Sequence, residues 1–322
     1  MQSIKNSVRW LGFEWGNHLY FASDYFEKFY EYAVALIQNN FAYVDSQTFE
    51  MIKLNRGTLT MAGNNSPFRD RSIAENIDIF GKMKNGEFKD GAHVLRAKIN
   101  MQSPNLNLRD PVLYRIRHVD HHRQGSKWCI YPMYDFAHPI SDAIERISHS
   151  ICTLEFEDHR PLYDWIIFKL AECGFFEKKN LPRQFEFSRL NISNLILSKR
   201  LLSNIVSRKY VSGWDDPRMP TIPGAIKRGY TKKGFQTFCE MIGVTKSYSQ
   251  IDFSVLEECM REDLNFSCLR KIAVLSPITL IIENLDDDHY EECFAPNHPK
   301  SPELGKRIIN FGKELIIDKN DF

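Results

Sequence analysis

From Trp128 to Asp158 the chain changes its hydrophobic period twice, and that limits the folds open to it. Trp128-Cys-Ile-Tyr-Pro-Met-Tyr134 is apolar and aromatic, as a buried strand is. Ile140, Ala143, Ile144 and Ile147 then recur at helical spacing, and Ile151-Cys-Thr-Leu-Glu-Phe156 is a second short run. Strand, helix, strand predicts a βαβ unit of a parallel sheet, hence an α/β fold. In open α/β sheets, ligands bind beyond the carboxyl ends of the strands. That rule puts Tyr134 and residues 152–158 beside a ligand. A plainer alternative makes Tyr131 and Tyr134 core aromatics and the acids solvated surface.

A chain of 322 residues predicts about two or three domains, and 43% hydrophobic residues suffice for real cores. No apolar run approaches the ~20 residues that span a bilayer, so no membrane partner is expected. Met1-Gln-Ser-Ile-Lys-Asn leads into no apolar segment of a secretory signal. None of the seven cysteines forms a C-x-x-C pair, which argues against a zinc site or disulfide framework and fits a reducing cytoplasm. Net charge is only +1, yet basic residues cluster locally. Arg109, Arg115, Arg117, Arg123 and Lys127 form one group; Lys199, Arg200, Arg208 and Lys209 form another. Such groups are either a phosphate-binding face or ordinary solvated surface.

Along the chain, residues 5–22 read as a helix end and an aromatic turn. Phe26, Phe29, Tyr30, Ala33 and Ile37 predict a helix that Asn39-Asn40 stops. Phe41-Ala-Tyr-Val is a short strand, and Arg56-Gly-Thr-Leu-Thr60 a turn inside a loop. Ser72 with Glu75 predicts a capping box. The runs starting at Val94 and Val112 are strand-like. Arg160 opens a helix, and residues 183–191 read as a strand and its exit. Residues 192–262 are helical; after 264, strands are expected at Ile272-Ala-Val-Leu, Ile278-Thr-Leu-Ile-Ile and Glu314-Leu-Ile-Ile.

Two segments, Y-P-M-Y-D-F-A-H-P-I-S-D-A-I-E and H-S-I-C-T-L-E-F-E-D-H-R, closely resemble the bacterial glutaminyl-tRNA synthetases, and the resemblance runs from Ser3 almost to Phe322. It implies a partial class I synthetase Rossmann-type catalytic fold with an inserted acceptor-stem domain, a helical stem-contact region and the start of a β-barrel. The implied divisions are 1–23, the end of the first Rossmann half; 24–133, the acceptor-stem insertion; 134–191, the second Rossmann half; 192–263, the helical region; and 264–322, the start of the anticodon-binding barrel. The implied partners are L-glutamine, ATP with its Mg2+, and tRNA(Gln), for a cytoplasmic monomer with no resident metal. His118, His121 and His122, with Asp120 among them, are accordingly surface or tRNA-facing residues.

The resemblance also assigns residues. Ile196-Leu-Ser-Lys-Arg200 is similar to the K-M-S-K-S loop, with Leu197 where Met is usual and Leu201 where many relatives keep a second lysine. Lys199 and Ser198 would be catalytic, stabilising charge on the α-phosphate. Thr153, Arg189, Leu190 and Leu197 would join them in holding ATP. Tyr134, Ser150, Cys152 and Gln184 would hold glutamine. Related glutamate enzymes carry arginine where Cys152 stands, and without that cation a buried carboxylate is left unpaired. Leu59, in the R-G-T-L-T loop, would wedge under the last base pair of the acceptor stem, since unstacking costs only a few kcal/mol. Asp158 would accept from a guanine amino group in the stem. Thr245, Lys246 and Gln250 would touch the inner corner of the tRNA, and Gly213-Trp-Asp-Asp-Pro-Arg-Met-Pro-Thr221 is a further shared signature.

One departure is an absence. No H-x-G-H motif occurs in these residues. The resemblance therefore implies a fragment, inactive alone. The alternatives are a catalytically dead tRNA-binding paralogue and a related glutamate-tRNA ligase, against which Cys152 argues.

Overall fold

A computed structural model describes residues 1–321. They form two compact units, a larger one of Trp15–Leu190 with Val244–Ser249 and a smaller one of Met1–Glu14, Asn191–Gly243 and Gln250 onward. Helix α1 (Gln2–Trp10) opens the smaller unit.

The larger unit follows with α2 (Phe26–Gln38), β1 (Ala42–Asp45), α3 (Phe49–Arg56), α4 (Ile73–Lys84), β2 (Val94–Ala97), β3 (Val112–Ile116), β4 (Ile130–Pro132), α5 (Tyr134–Ile144), β5 (His149–Thr153), α6 (Arg160–Glu172) and β6 (Arg183–Phe187). Strands β1 to β4 form one antiparallel sheet in sequence order. Phe29, Ala33, Leu36 and Ile37 fall on one stripe of α2 and are buried. Asn40 ends that helix at φ 57, a left-handed conformation that asparagine tolerates. The capping box of α4 is present: Ser72 Oγ accepts from the Glu75 amide at 3.3 Å, and Glu75 accepts from the Ser72 amide at 3.2 Å. One apolar core joins α2, α4, the sheet, α5 and α6 through Phe29, Phe80, Leu113, Phe136 and Ile166, among others. Within it Arg96 and Asp45 form a fully buried ion pair at 2.7 Å.

The expected strand–helix–strand unit is connected differently. Strand β4 pairs with β3 and ends the antiparallel sheet, whereas β5 pairs in parallel with β6. The parallel unit is therefore β5–α6–β6, and α5 links two sheets. Helix α5 starts at Tyr134, straight after a three-residue strand, so Tyr134 belongs to the helix rather than to the strand end. Its inward residues are Phe136, Pro139 and Ile140; Ile147 lies past the helix and is exposed. The second apolar run is a strand only as far as Thr153, after which Leu154–His159 tightens into a 3-10 turn.

The smaller unit continues with β7 (Asn191–Ile192), α7 (Lys199–Ser207), α8 (Ile222–Arg228), α9 (Lys232–Ile242), β8 (Gln250–Ile251), α10 (Phe253–Ser267), β9 (Pro277–Ile281), β10 (Tyr290–Pro296), β11 (Lys306–Gly312) and β12 (Glu314–Asp318). Ile192, Phe238, Leu256, Cys259 and Met260 form its core. Helices α9 and α10 approach so closely that a Cβ on Gly234 would lie 2.4 Å from Met260 Sδ. In the Gly213–Thr221 signature, Asp216 accepts from the Ser212 amide at 2.9 Å and from Arg218 Nε and Nη2, both at 2.9 Å. The Arg218 guanidinium holds that carboxyl far below the usual carboxylate range. Beyond α10, β9 pairs antiparallel with β12, and β10 with β11; these two ladders do not close into a barrel. Ile272-Ala-Val-Leu275 is not the expected strand. Its apolar ends Ile272 and Leu275 are exposed, and the Leu275 amide goes to the Asp318 carboxylate instead of a ladder. Among the described residues, no helix is long and apolar enough to cross a membrane.

Candidate functional site

Parallel pairing sets three candidate residues side by side with Glu186. Ser150 stands opposite Gln184, and Cys152 opposite Glu186. Strand alternation turns Ser150, Gln184 and Glu186 inward and leaves Ile151 and Phe185 exposed. Gln184 Nε2 donates to the Phe156 carbonyl at 2.9 Å and to Glu186 Oε1 at 3.1 Å. A carbonyl and a carboxylate only accept, so these partners fix which way the amide points. With both N–H bonds engaged, Gln184 offers a ligand its Oε1, an acceptor. Burial pushes the Glu186 carboxyl up, but Lys246 Nζ at 3.0 Å, the Gln184 amide and Arg160 Nη1 at 3.3 Å outweigh it and hold the group below the usual carboxylate range.

Tyr134 stacks on His138 one turn along α5, with ring centroids 5.2 Å apart, and also meets Phe156 at 5.7 Å. His138 Nε2 lies 3.1 Å from Ser150 Oγ and 3.1 Å from Asp142 Oδ2. Tyr163 donates its hydroxyl to Asp142 at 2.8 Å. Burial raises the Asp142 carboxyl, yet its hydrogen bonds from His138, Ser150 and Tyr163 prevail and depress it. Burial first, then Asp142, raise the Tyr134 hydroxyl, so it stays neutral at ordinary pH. Burial and the neighbouring Glu186 likewise raise the Cys152 thiol, which lies 3.8 Å from the Phe185 carbonyl. Tyr134, Ser150 and Gln184 are thus gathered around His138 and Phe156, beside a neutral Cys152.

The residues expected to hold ATP fall in both units, and each set has its own local order. In the larger unit Thr153 Oγ1 donates to Glu155 at 2.6 Å, and Arg189 Nη1 pairs with the same carboxylate at 3.3 Å. Glu155 therefore links Thr153 to Arg189, next to a partly exposed Leu190. In the smaller unit Leu197 is exposed, and Ser198 is the N-cap of α7 with its hydroxyl making no capping bond. Lys199 and Arg200 are the first helical residues. Two cations at a helix N-terminus oppose the helix dipole, but they suit the same end for a phosphate.

Leu59 stands 79% exposed at the tip of the loop after α3. Arg109, expected in a basic surface group, is buried beneath that loop. Asp158 presents an exposed side chain, while its carbonyl accepts from Asn105 Nδ2 at 2.7 Å and Asn107 Nδ2 at 3.2 Å. Lys246 is paired with Glu157 at 3.1 Å as well as with Glu186. The Thr245 carbonyl accepts from the Ser188 amide at 2.7 Å. Gln250 lies in the smaller unit, opposite Asn191 in the short β7–β8 ladder. His118 bonds Asp90 at 2.6 Å, and His121 packs against Phe26 and Tyr131. Among the described residues, no group of three or more His, Cys, Asp or Glu is placed to hold a metal.

Sequence reasoning missed His138, Asp142, Glu155 and Glu186. The i, i+4 spacing of His138 and Asp142 and the i, i+2 spacing of Gln184 and Glu186 could have found three of them.

Two solved structures share the fold. A glutamate tRNA ligase from Elizabethkingia meningosepticum, in complex with its amino acid, matches 83% of this chain and 60% of its own at 18% identity and a TM-score of 0.51. The glutamate-tRNA synthetase of Elizabethkingia anophelis matches 83% of this chain and 61% of its own, again at 18% identity, with a TM-score of 0.52. The fold is that of a class I tRNA synthetase. Residues 1–266 match the catalytic domain of the tRNA synthetases class I (E and Q), and residues 268–322 match their anti-codon binding domain. The chain belongs to that family. Among curated proteins, it is similar to the Glutamine–tRNA ligase of Nitrosomonas europaea, 58% identical over 100% of this chain and 57% of the relative. That of Polynucleobacter asymbioticus is 57% identical over 99% of this chain and 54% of the relative. The chain thus spans a little over half the length of the curated relatives it matches.

Proposed function

We propose that the chain carries the glutamine site and the acceptor-stem contacts of a glutamine–tRNA ligase, which activates L-glutamine with ATP and passes it to the 3′ end of tRNA(Gln). Similarity to relatives of that name over the whole chain supports the reading. The observation that carries the choice of amino acid is the fixed amide of Gln184. Its Oε1 can accept from the amide nitrogen of glutamine, whereas a glutamate carboxylate would meet it as one acceptor facing another. Tyr134 supplies a neutral hydroxyl, and Ser150 steadies the His138 ring on which Tyr134 stacks. Neutral Cys152 provides no cation to offset the desolvation of a carboxylate.

Lys199 is the group that follows charge developing on the α-phosphate, and Ser198 donates a hydrogen bond there. Arg189 lies against adenine, the Leu190 backbone reads its edge, and Thr153 and Leu197 complete the ATP contacts; Mg2+ arrives as part of that substrate. Residues 24–133 face the acceptor stem, with Leu59 as wedge and Asp158 as acceptor for a guanine amino group. Thr245, Lys246 and Gln250 contact the tRNA further along. To reach a phosphate, Lys246 must exchange Glu157 or Glu186 for it. In this reading the protein works as a cytoplasmic monomer.

The test is ATP–pyrophosphate exchange by a chimera carrying this chain in place of the matching part of the Nitrosomonas europaea relative. Exchange dependent on glutamine and cognate tRNA is expected. Exchange that prefers glutamate would overturn the assignment.

A further inference from the structure

The loop that presents Leu59 is closed from within. The Asn64 amide donates to the Asn55 carbonyl at 2.7 Å across its base, and the Gly63 amide to the Met101 carbonyl at 2.9 Å. Gly57 sits at φ 73, and a Cβ there would come within 2.6 Å of the Met61 and Ala62 carbonyls. Thr58 Oγ1 accepts from the Thr60 amide at 3.3 Å and the Met61 amide at 3.1 Å. Beneath the loop lies one buried cation. Arg109 is 3% exposed. Its Nη1 donates to the carbonyls of Arg56, Thr58 and Met61 at 2.8, 2.9 and 2.8 Å, and its Nε to the Ser103 carbonyl at 2.7 Å. The next residue, Asp110, anchors this point to the core, accepting from Arg69 Nε at 2.7 Å, the Ile99 amide at 2.7 Å and the Tyr43 hydroxyl at 3.2 Å.

Polar groups of the loop therefore point inward, and its leucine points out. A loose loop would fold an apolar tip back onto the protein to escape water. Here three carbonyls converge on one guanidinium nitrogen while Nε of the same planar group reaches a fourth, a spread over two nitrogens that the single ammonium of a lysine does not match. We propose that Arg109 is the positioning residue of the acceptor-stem wedge: it holds the 56–61 backbone so that Leu59 stands ready to enter the end of an RNA duplex. This rests on the reading that Leu59 meets the acceptor stem. Arg109 touches no RNA itself; it acts through Leu59, by removing the ordering cost that a mobile loop would meet on binding.

Two measurements on the whole chain test it. In the first, amide hydrogen exchange is followed in Arg109→Gln and Arg109→Lys. Both should speed exchange at residues 57–62 while the core around β1 to β4 keeps its protection. Unchanged loop exchange in a folded variant overturns the positioning role whatever the RNA result. The second compares binding of two synthetic RNA hairpins with a single-stranded 3′ extension, one with a paired terminal base pair and one with that pair mismatched. Arg109→Gln should weaken the paired hairpin by the same factor as Leu59→Ala, lose most of that defect on the mismatched hairpin, and add nothing in the double variant. If Arg109→Gln weakens both hairpins equally while Leu59→Ala distinguishes them, the role assigned to Arg109 is wrong. If Leu59→Ala distinguishes neither, the acceptor-stem reading fails, and the inference fails with it even where the exchange result stands. Should Arg109→Gln not fold, Thr58→Val, which removes the acceptor for the Thr60 and Met61 amides, gives the same comparison from the loop side.

Discussion

Gln184 and Glu186, two residues apart on the inward face of β6, are joined side chain to side chain by a 3.1 Å hydrogen bond from amide to carboxylate. The bond decides which half of the Gln184 amide can meet a ligand. Glu186→Gln replaces an obligate acceptor with a group that can also donate, so the Gln184 amide keeps only the Phe156 carbonyl to orient it. In the chimera, this change should lower kcat/KM for glutamine by roughly tenfold, equivalent to about 1.4 kcal/mol. A folded variant with unchanged kcat/KM would show that Glu186 does not orient the amide.

Lys199→Ala should act on rate rather than on affinity. A cation that matters chiefly as charge develops on the α-phosphate contributes little to ground-state binding. Single-turnover activation in the chimera should slow markedly while tRNA affinity stays nearly constant. An unchanged single-turnover rate would remove Lys199 from the mechanism.

The buried Arg96–Asp45 pair gives a stability prediction that does not depend on function. Asp45→Ala leaves a guanidinium in the core without its carboxylate, and breaking a buried pair in this way costs about 3–5 kcal/mol. Denaturant unfolding of the larger unit measures it. A loss under about 1 kcal/mol would mean that water or another acceptor replaces Asp45.

Acid should loosen the candidate site. Asp142 and Glu186 have native pKa values below their ordinary ones. For depressed carboxyl groups, the stabilisation is fully present above the unfolded values, near pH 4, and is lost as pH falls through the native values. Unfolding free energy should therefore fall with acid below about pH 4, and Asp142→Asn should flatten part of that slope. An identical slope in the variant would exclude Asp142 as a source.

Much of the fold was legible in the sequence because local rules act strongly where one face is buried. The stripe of α2, its asparagine stop and the capping box of α4 needed no tertiary information. The partner of β5 was not legible. Periodicity puts a strand at residues 151–156, overlapping the observed β5 of His149–Thr153, but only packing chooses β6 over β4 as its neighbour. Arg109 shows the same limit. Its sequence neighbours make it look like one member of a surface group, and nothing local says that three carbonyls of a distant loop converge on it. Ile272 to Leu275 erred the other way, since β-propensity without a pairing partner does not make a strand. At the candidate site, the resemblance named residues without their partners: the His138–Asp142 and Gln184–Glu186 spacings stand in the sequence, but Glu155 is tied to Thr153 and Arg189 only once the chain is folded.

The proposed selection of a side-chain amide rests on an acceptor-only Gln184 and a neutral Cys152, which leave a carboxylate without a partner. Cys152→Arg in the chimera tests it most directly. The new guanidinium would be satisfied by glutamate and left unpaired by glutamine; an unpaired buried charge costs about 3–5 kcal/mol, although Glu186, already shared by Lys246 and Arg160, competes for the guanidinium and makes the real shift smaller. The quantity to measure is the ratio of kcat/KM for glutamine to that for glutamate on the same tRNA. It should move toward glutamate, mainly through loss of glutamine activity. An unchanged ratio in a folded variant would reduce Cys152 to core packing and contradict the account.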